Sequence, residues 1–197
     1  MKQALFVGLF VAIGLAAVAH SAGDPVGAVV AGEKGITQLA PRTRRGVIGE
    51  AARLFEAINP AGRASLEPVL SIVRPMQRMV LISDFLAEDD ALLRAARERI
   101  TAGADVLAIH IVAREELEPA HASIIAQDPE RAELKRSLVE ETRAGYLEAF
   151  GAWRAELARG WREAGAAYFE IPADEATDHA VRRIASPTLT NAQARGA

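Results

Sequence analysis

The residues that most limit the possible folds are two apolar runs. Met79-Val80-Leu81-Ile82 stops on Ser83-Asp84 and passes into an acidic, helix-forming segment. Asp105-Val106-Leu107-Ala108-Ile109-His110-Ile111-Val112 is longer and almost wholly apolar. A strand without polar alternation must be covered on both faces, which is the condition of a parallel sheet held between helix layers. Ligands of such sheets sit just beyond the carboxyl ends of the strands. The tetrapeptide Ile82-Ser83-Asp84-Phe85 is therefore the first candidate functional tip.

The rest of the chain fits around these strands. Val26 to Ala31 reads as a short strand, and the turn Gly32-Glu33-Lys34-Gly35 makes a hairpin into Ile36 to Ala40. Val47, Ile48, Ala51, Leu54, Phe55 and Ile58 recur at helical spacing, and Asn59-Pro60-Ala61-Gly62 stops that helix. A short helix spans 66–73. Residues 88–101 form another, with Leu92, Leu93, Ala96 and Ile100 facing the core and Gly103 closing it. Residues 113–136 are a polar excursion with short strands near 123–125 and 133–134. The longest helix is expected over 137–164, where Thr142, Tyr146, Phe150, Trp153, Leu157 and Trp161 make a stripe that packs on the sheet. Gly165 ends it. Strand 168–171 and helix 175–184 complete an α/β fold with a mainly parallel sheet and helices on both faces. Residues 23–185 form one domain, and 186–197 read as a flexible tail.

Residues 4–19 are almost continuously apolar and follow Lys2. Two readings compete. Ala17-Val18-Ala19 has the form of a signal-peptide cleavage site. Alternatively, residues 1–22 are a fully buried helix that Gly23 stops and Pro25 turns into the first strand. The turn and strand that follow favour the buried helix, and with it a cytoplasmic protein. The signal reading would make the protein exported or membrane-anchored.

Composition narrows the function classes. Half of the 197 residues are hydrophobic and the formal charge is -3, so nothing in the balance points to nucleic acid. There is no cysteine, hence no disulfide, thiolate nucleophile or thiolate metal site. The four histidines, at 20, 110, 121 and 179, lack zinc-motif spacing and read as surface or capping residues. No Gly-x-Ser-x-Gly elbow, P-loop or dinucleotide fingerprint occurs.

Several segments, in order, resemble the bacterial domain of unknown function 58 family, whose members carry a von Willebrand factor A-like domain. They are Gly23-Asp24-Pro25-Val26-Gly27, Leu39-Ala40-Pro41-Arg42, Ile82-Ser83-Asp84-Phe85, Glu116-Leu117-Glu118-Pro119, Asp128-Pro129-Glu130, and Tyr146 through Trp161 followed by Gly165. The resemblance implies a von Willebrand A-like, Rossmann-like sheet. It also implies that the chain lacks the first strand of that sheet and its Asp-x-Ser-x-Ser adhesion-site motif. Ser65, Ser83 and Asp84 would be the surviving part of the metal site. No cofactor is expected, and Mg²⁺ only if the missing motif is supplied. Asp84 has a second reading, as a cap for the helix that follows. The resemblance further implies a non-enzymatic interaction module, partner or adaptor of a MoxR-type AAA+ ATPase. An Asp84-dependent hydrolase is the remaining alternative.

Three other groups stand out. Arg42, Arg44 and Arg45 cluster at a helix start, where backbone N–H groups favour anions, and form a candidate interaction patch. Glu115, Glu116 and Glu118 read as a solvated loop edge. Arg182 and Arg183 fall in the last turn of the final helix, where cations meet the helix dipole.

Overall fold

The most apolar strand in the sequence lies at the centre of the parallel sheet. In the computed structural model, which describes residues 2–32, 35–57, 65–73, 77–86, 90–119, 124–127, 135–138 and 140–195, the elements follow in this order. They are α1 (Lys2–Ser21), β1 (Val26–Gly32), β2 (Gly35–Arg42), α2 (Val47–Glu56), α3 (Glu67–Ile72), β3 (Arg78–Ser83), α4 (Asp90–Thr101), β4 (Asp105–Val112), α5 (Arg114–Leu117), β5 (Ile124–Gln127), β6 (Lys135–Leu138), α6 (Glu140–Glu163), β7 (Ala167–Pro172) and α7 (Thr177–Arg195). β4 pairs in parallel with β3 on one side and with β7 on the other. Every residue from Val106 to Val112 is buried.

Alternate residues of β4 feed two separate cores. Val106 and Ala108 join Met79 and Leu81 of β3, Leu92 and Ala96 of α4, Leu70 of α3 and Trp161 of α6. Leu107, Ile109 and Ile111 point the other way, to Val11 of α1, Ile171 of β7, and Ala180 and Ile184 of α7. The fold is thus α/β, with a three-stranded parallel sheet and helices on both faces.

Two helix ends show how the chain enters its strands. After α4, Gly103 adopts φ 96°; its N–H donates to Ile100 and that of Ala104 to Arg99. After α6, Gly165 adopts φ 93°, with the same pair of bonds to Arg162 and Trp161. Both are left-handed closures that a glycine adopts at little cost. Each delivers the chain within two residues into β4 or β7.

The hairpin forms as the turn chemistry predicts, but it stands apart. β1 and β2 pair antiparallel as their own two-stranded sheet, not hydrogen-bonded to β3. α1 contacts β1, β3 and β4, and so bridges the two sheets. It settles there through small residues. A Cβ at Gly8 would lie 3.3 Å from Ile82 Cγ2, and one at Gly14 would lie 2.6 Å from Val181 Cγ2 of α7. The expectation of a fully buried helix is corrected in part. Val11 and Gly8 are buried, but Phe6 and Phe10 project from the other side of α1. A helix apolar all round has a core face only where another element meets it.

Other boundaries also differ. Ser137 belongs to β6, paired with Ile125, so α6 begins at Glu140 rather than at 137. The short helix α5 falls inside what reads as irregular excursion. α7 runs on to Arg195, beyond the 184 that the apolar pattern marks. Arg182 and Arg183 consequently sit mid-helix and pair with Asp178 and Glu175 rather than with the helix's last carbonyls. Ile58, Asn59 to Gly62, His121, Asp128 to Glu130 and Glu133-Leu134 lie outside the described residues.

Phe85 ties the tip of β3 into the core. It is 2% exposed and packs at 5.9 Å from the His110 ring and 5.3 Å from Trp161. Phe85→Ala should cost about 3–5 kcal/mol of stability in urea denaturation. Leu86→Ala, one residue away but exposed, should stay within about 0.5 kcal/mol of wild type.

Candidate functional site at the carboxyl edge of the parallel sheet

β3, β4 and β7 run in the same direction, so their ends at Ser83, Val112 and Pro172 share one edge. Beyond β3 the chain turns sharply, with Phe85 in the left-handed region at φ 55°. Two side chains hold this turn. Ser83 Oγ accepts the Phe85 N–H at 3.0 Å, and Asp84 Oδ1 accepts the Leu86 N–H at 3.2 Å. Short polar side chains stabilise turns by this kind of local bond. Burying Phe85 while leaving Asp84 and Leu86 exposed fixes which side chains the tip presents to solvent.

Asp84 therefore acts as an acceptor for a backbone N–H, but of the turn itself; α4 begins only at Asp90. Ser65 does comparable work elsewhere. Its Oγ accepts the Glu67 N–H at 3.1 Å, at the start of α3. Ser65 Oγ, Ser83 Oγ and Asp84 Oδ1 of the expected metal set thus each accept a local backbone N–H. Among the described residues, no group of three or more His, Asp or Glu side chains is placed to hold a metal ion. Mg²⁺ asks for near-octahedral oxygen coordination, and one carboxylate with two hydroxyls bonded in this way does not meet that need.

The second carboxylate at this edge is Glu116, and it is not a solvated loop residue. Its Oε2 accepts the Ala113 N–H at 2.9 Å, which closes the first turn of α5. Burial, with the Asp84 and Glu115 charges adding to it, pushes its carboxyl above the usual range. Burial raises the hydroxyl of Tyr146 on α6, and the nearby Glu116 charge adds to it. Glu116 differs from Glu115 and Glu118 only in where α5 points it, which spacing alone does not reveal.

The arginines before α2 share a single carboxylate. Glu50, in the first turn of α2, lies 3.8 Å from Arg42 and 2.5 Å from Arg44. Arg45 is exposed and makes no ion pair among the described residues.

The largest departure from the sequence reading is His110. It is 1% exposed, inside β4, not at the surface. His179, by contrast, is exposed and bonded to Glu175 at 2.8 Å. His110 Nδ1 lies 2.7 Å from Tyr168 Oη, and the ring also hydrogen-bonds the Asp84 backbone. A carbonyl can only accept, so the ring donates to Asp84 and, when neutral, accepts a hydrogen bond from the Tyr168 hydroxyl at Nδ1. Burial, with the Arg154 charge adding to it, holds the ring at a pKa of about 4 rather than 6.5. Glu170 lies 3.8 Å away and would favour the imidazolium, but its other oxygen is paired with Arg154 at 3.0 Å. Trp153 completes the surroundings, edge-on at 5.5 Å. The aromatic stripe of α6 divides accordingly. Trp161 is sealed in the core, whereas Tyr146, Phe150 and Trp153 are half-buried and stack on one another at 5.6 and 5.5 Å. The only sequence signal for this cluster was one imidazole in an otherwise apolar strand.

The folded state depresses the His110 pKa, so the unfolded chain takes up its proton first. The His110 contribution should be complete above pH 6.5 and disappear as the pH falls toward about 4. The loss should be on the order of 3 kcal/mol. The measurement is the unfolding free energy across that window, for wild type and for His110→Phe combined with Tyr168→Phe. The double variant should lack this share of the acid sensitivity.

Residues 1–156 match the family described as "Protein of unknown function DUF58". No curated protein matches the chain. The solved structure of the conserved hypothetical protein BatB from Bacteroides thetaiotaomicron is similar, with a TM-score of 0.55 and 15% identity, over 98% of this chain and 87% of that one. At that identity the likeness concerns the fold.

Proposed function

Because the chain belongs to the DUF58 family, we propose that it is a non-enzymatic protein-interaction module, partner or adaptor of a MoxR-type AAA+ ATPase, working in the cytoplasm. The carboxyl edge of the parallel sheet is its docking face. The observation that carries this reading is the β3 tip. It presents an exposed carboxylate, Asp84, beside an exposed apolar side chain, Leu86, on a turn that Phe85 anchors in the core. A rigid apolar contact next to a single charge suits recognition of another protein surface. The same geometry weakens the case for a hydrolase, since Ser83 and Asp84 hold backbone N–H groups and His110 is sealed beneath them.

The test is a pull-down of the co-encoded AAA+ ATPase by the full chain. Asp84→Asn keeps the turn acceptor and removes the charge, and Leu86→Ala removes the apolar contact. Each should weaken capture by about tenfold. Capture unchanged by both substitutions would mean that the docking face lies elsewhere.

One observation favours a second reading, attachment to a membrane. Gln3–Ser21 of α1 is long and apolar enough to cross a membrane, and 17% of its most apolar window is buried. Phe6 and Phe10 are among its uncovered side chains. On this reading the chain sediments with membranes after a salt wash, and Phe6→Ser with Phe10→Ser releases it. A wild-type chain found wholly in the soluble fraction would eliminate the idea.

A further inference from the structure

A second site lies away from the carboxyl edge, where α6 and α7 overhang the outer side of β7. The concavity there has a volume of about 400 Å³ and is lined by Arg154 and Arg162 of α6, Tyr168 and Glu170 of β7, and Arg183 of α7. Arg154 and Arg162 stand eight positions apart on one helix, a little over two turns, so they project to the same side. Three guanidiniums converge on this small space.

They are unevenly neutralised. Arg183 is held by Glu175 at 2.8 Å and by the Glu170 backbone carbonyl at 3.0 Å. Arg154 pairs with Glu170 at 3.0 Å through one amino group, while its Nε is buried with no acceptor. Arg162 has no carboxylate partner among the described residues; its guanidinium lies over the Tyr168 ring at 5.5 Å. Three cations therefore face two carboxylates, Glu170 and Glu175, and the surplus charge falls on the residue that lines the opening most freely. A guanidinium fork matches carboxylate and phosphate oxygens in geometry as well as charge.

We infer that this concavity binds a small molecule bearing an oxyanion, either a phosphate or a carboxylate group, with Arg162 as its principal ligand and Arg154 as the second. The oxyanion takes the Arg162 fork and competes with Glu170 for Arg154. Glu170 is a built-in competitor, which makes its removal informative. The site shares no residue with the docking face and does not depend on that reading.

The experiment is isothermal titration calorimetry of the full chain with sodium phosphate and, separately, with sodium succinate. Ionic strength is held constant with sodium chloride. At least one anion should bind saturably, and the tighter of the two identifies the oxyanion. Arg162→Ala should weaken that binding by about tenfold or more, the loss of one charge-assisted contact. Glu170→Gln should strengthen it, which a merely structural role for Glu170 would not produce. Arg159→Ala serves as the control, because Arg159 lies on the same helix outside the concavity and pairs with Glu156. It should bind as wild type does. The inference is overturned if neither anion binds beyond the chloride background, if Arg162→Ala binds like wild type, or if Glu170→Gln binds more weakly.

Discussion

The structure depends on the burial of β4 on both faces. A strand with alternating polarity could have left one side to water. This one has apolar residues pointing both ways, so it needs a helix layer above and another below. α3, α4 and α6 meet one face and α1 and α7 the other. β3 and β7 then complete its hydrogen bonding on either side. The carboxyl edge, the β3 tip and the Arg-lined concavity beside β7 all take their positions from that central strand.

His110 is the one polar side chain among the buried residues 106–112 of β4, and it turns a packing element into a link. Its ring joins the core face of the sheet to the Asp84 backbone and to Tyr168 on β7. Removing an imidazole from water is tolerable here because it stays neutral and both nitrogens find partners. The Arg154–Glu170 pair at its flank contributes as well, since the salt bridge absorbs a carboxylate that would otherwise recruit a proton. The turn at the sheet edge and the ion pairs beside β7 are thus connected through one buried side chain.

α1 answers to two demands. It closes the lower core with Val11 and lies across both the hairpin sheet and the parallel sheet. Its outer side keeps Phe6 and Phe10 uncovered. Glycines at positions 8 and 14 permit the first role, since a Cβ at 14 would strike Val181 and one at 8 would crowd Ile82. The surplus apolarity of the helix is what makes a short stretch of sequence compatible with either a core or a membrane.

What the sequence determined by itself was the kind of element and, for the two apolar strands, its burial. The apolar runs 79–82 and 105–112, the helical spacing in 47–58 and 88–101, and the stops at Gly23, Gly103 and Gly165 are local signals, and local physics suffices to read them. The family was legible as well, because two of its motifs, Gly23 to Gly27 and Ile82 to Phe85, fall on those signals. Tertiary structure alone decided which polar groups meet. Glu170 and His110 come together because β7 pairs with β4 in one particular register, His110 opposite Glu170. Arg154, Arg162 and Arg183 share a space because two helices overhang one strand edge. Glu116 is drawn inward by a four-residue helix, while its neighbours remain in water. None of these pairings leaves a periodic trace in the chain. Most of the contacts join different elements, and their energies depend on burial, which exists only once the chain has folded.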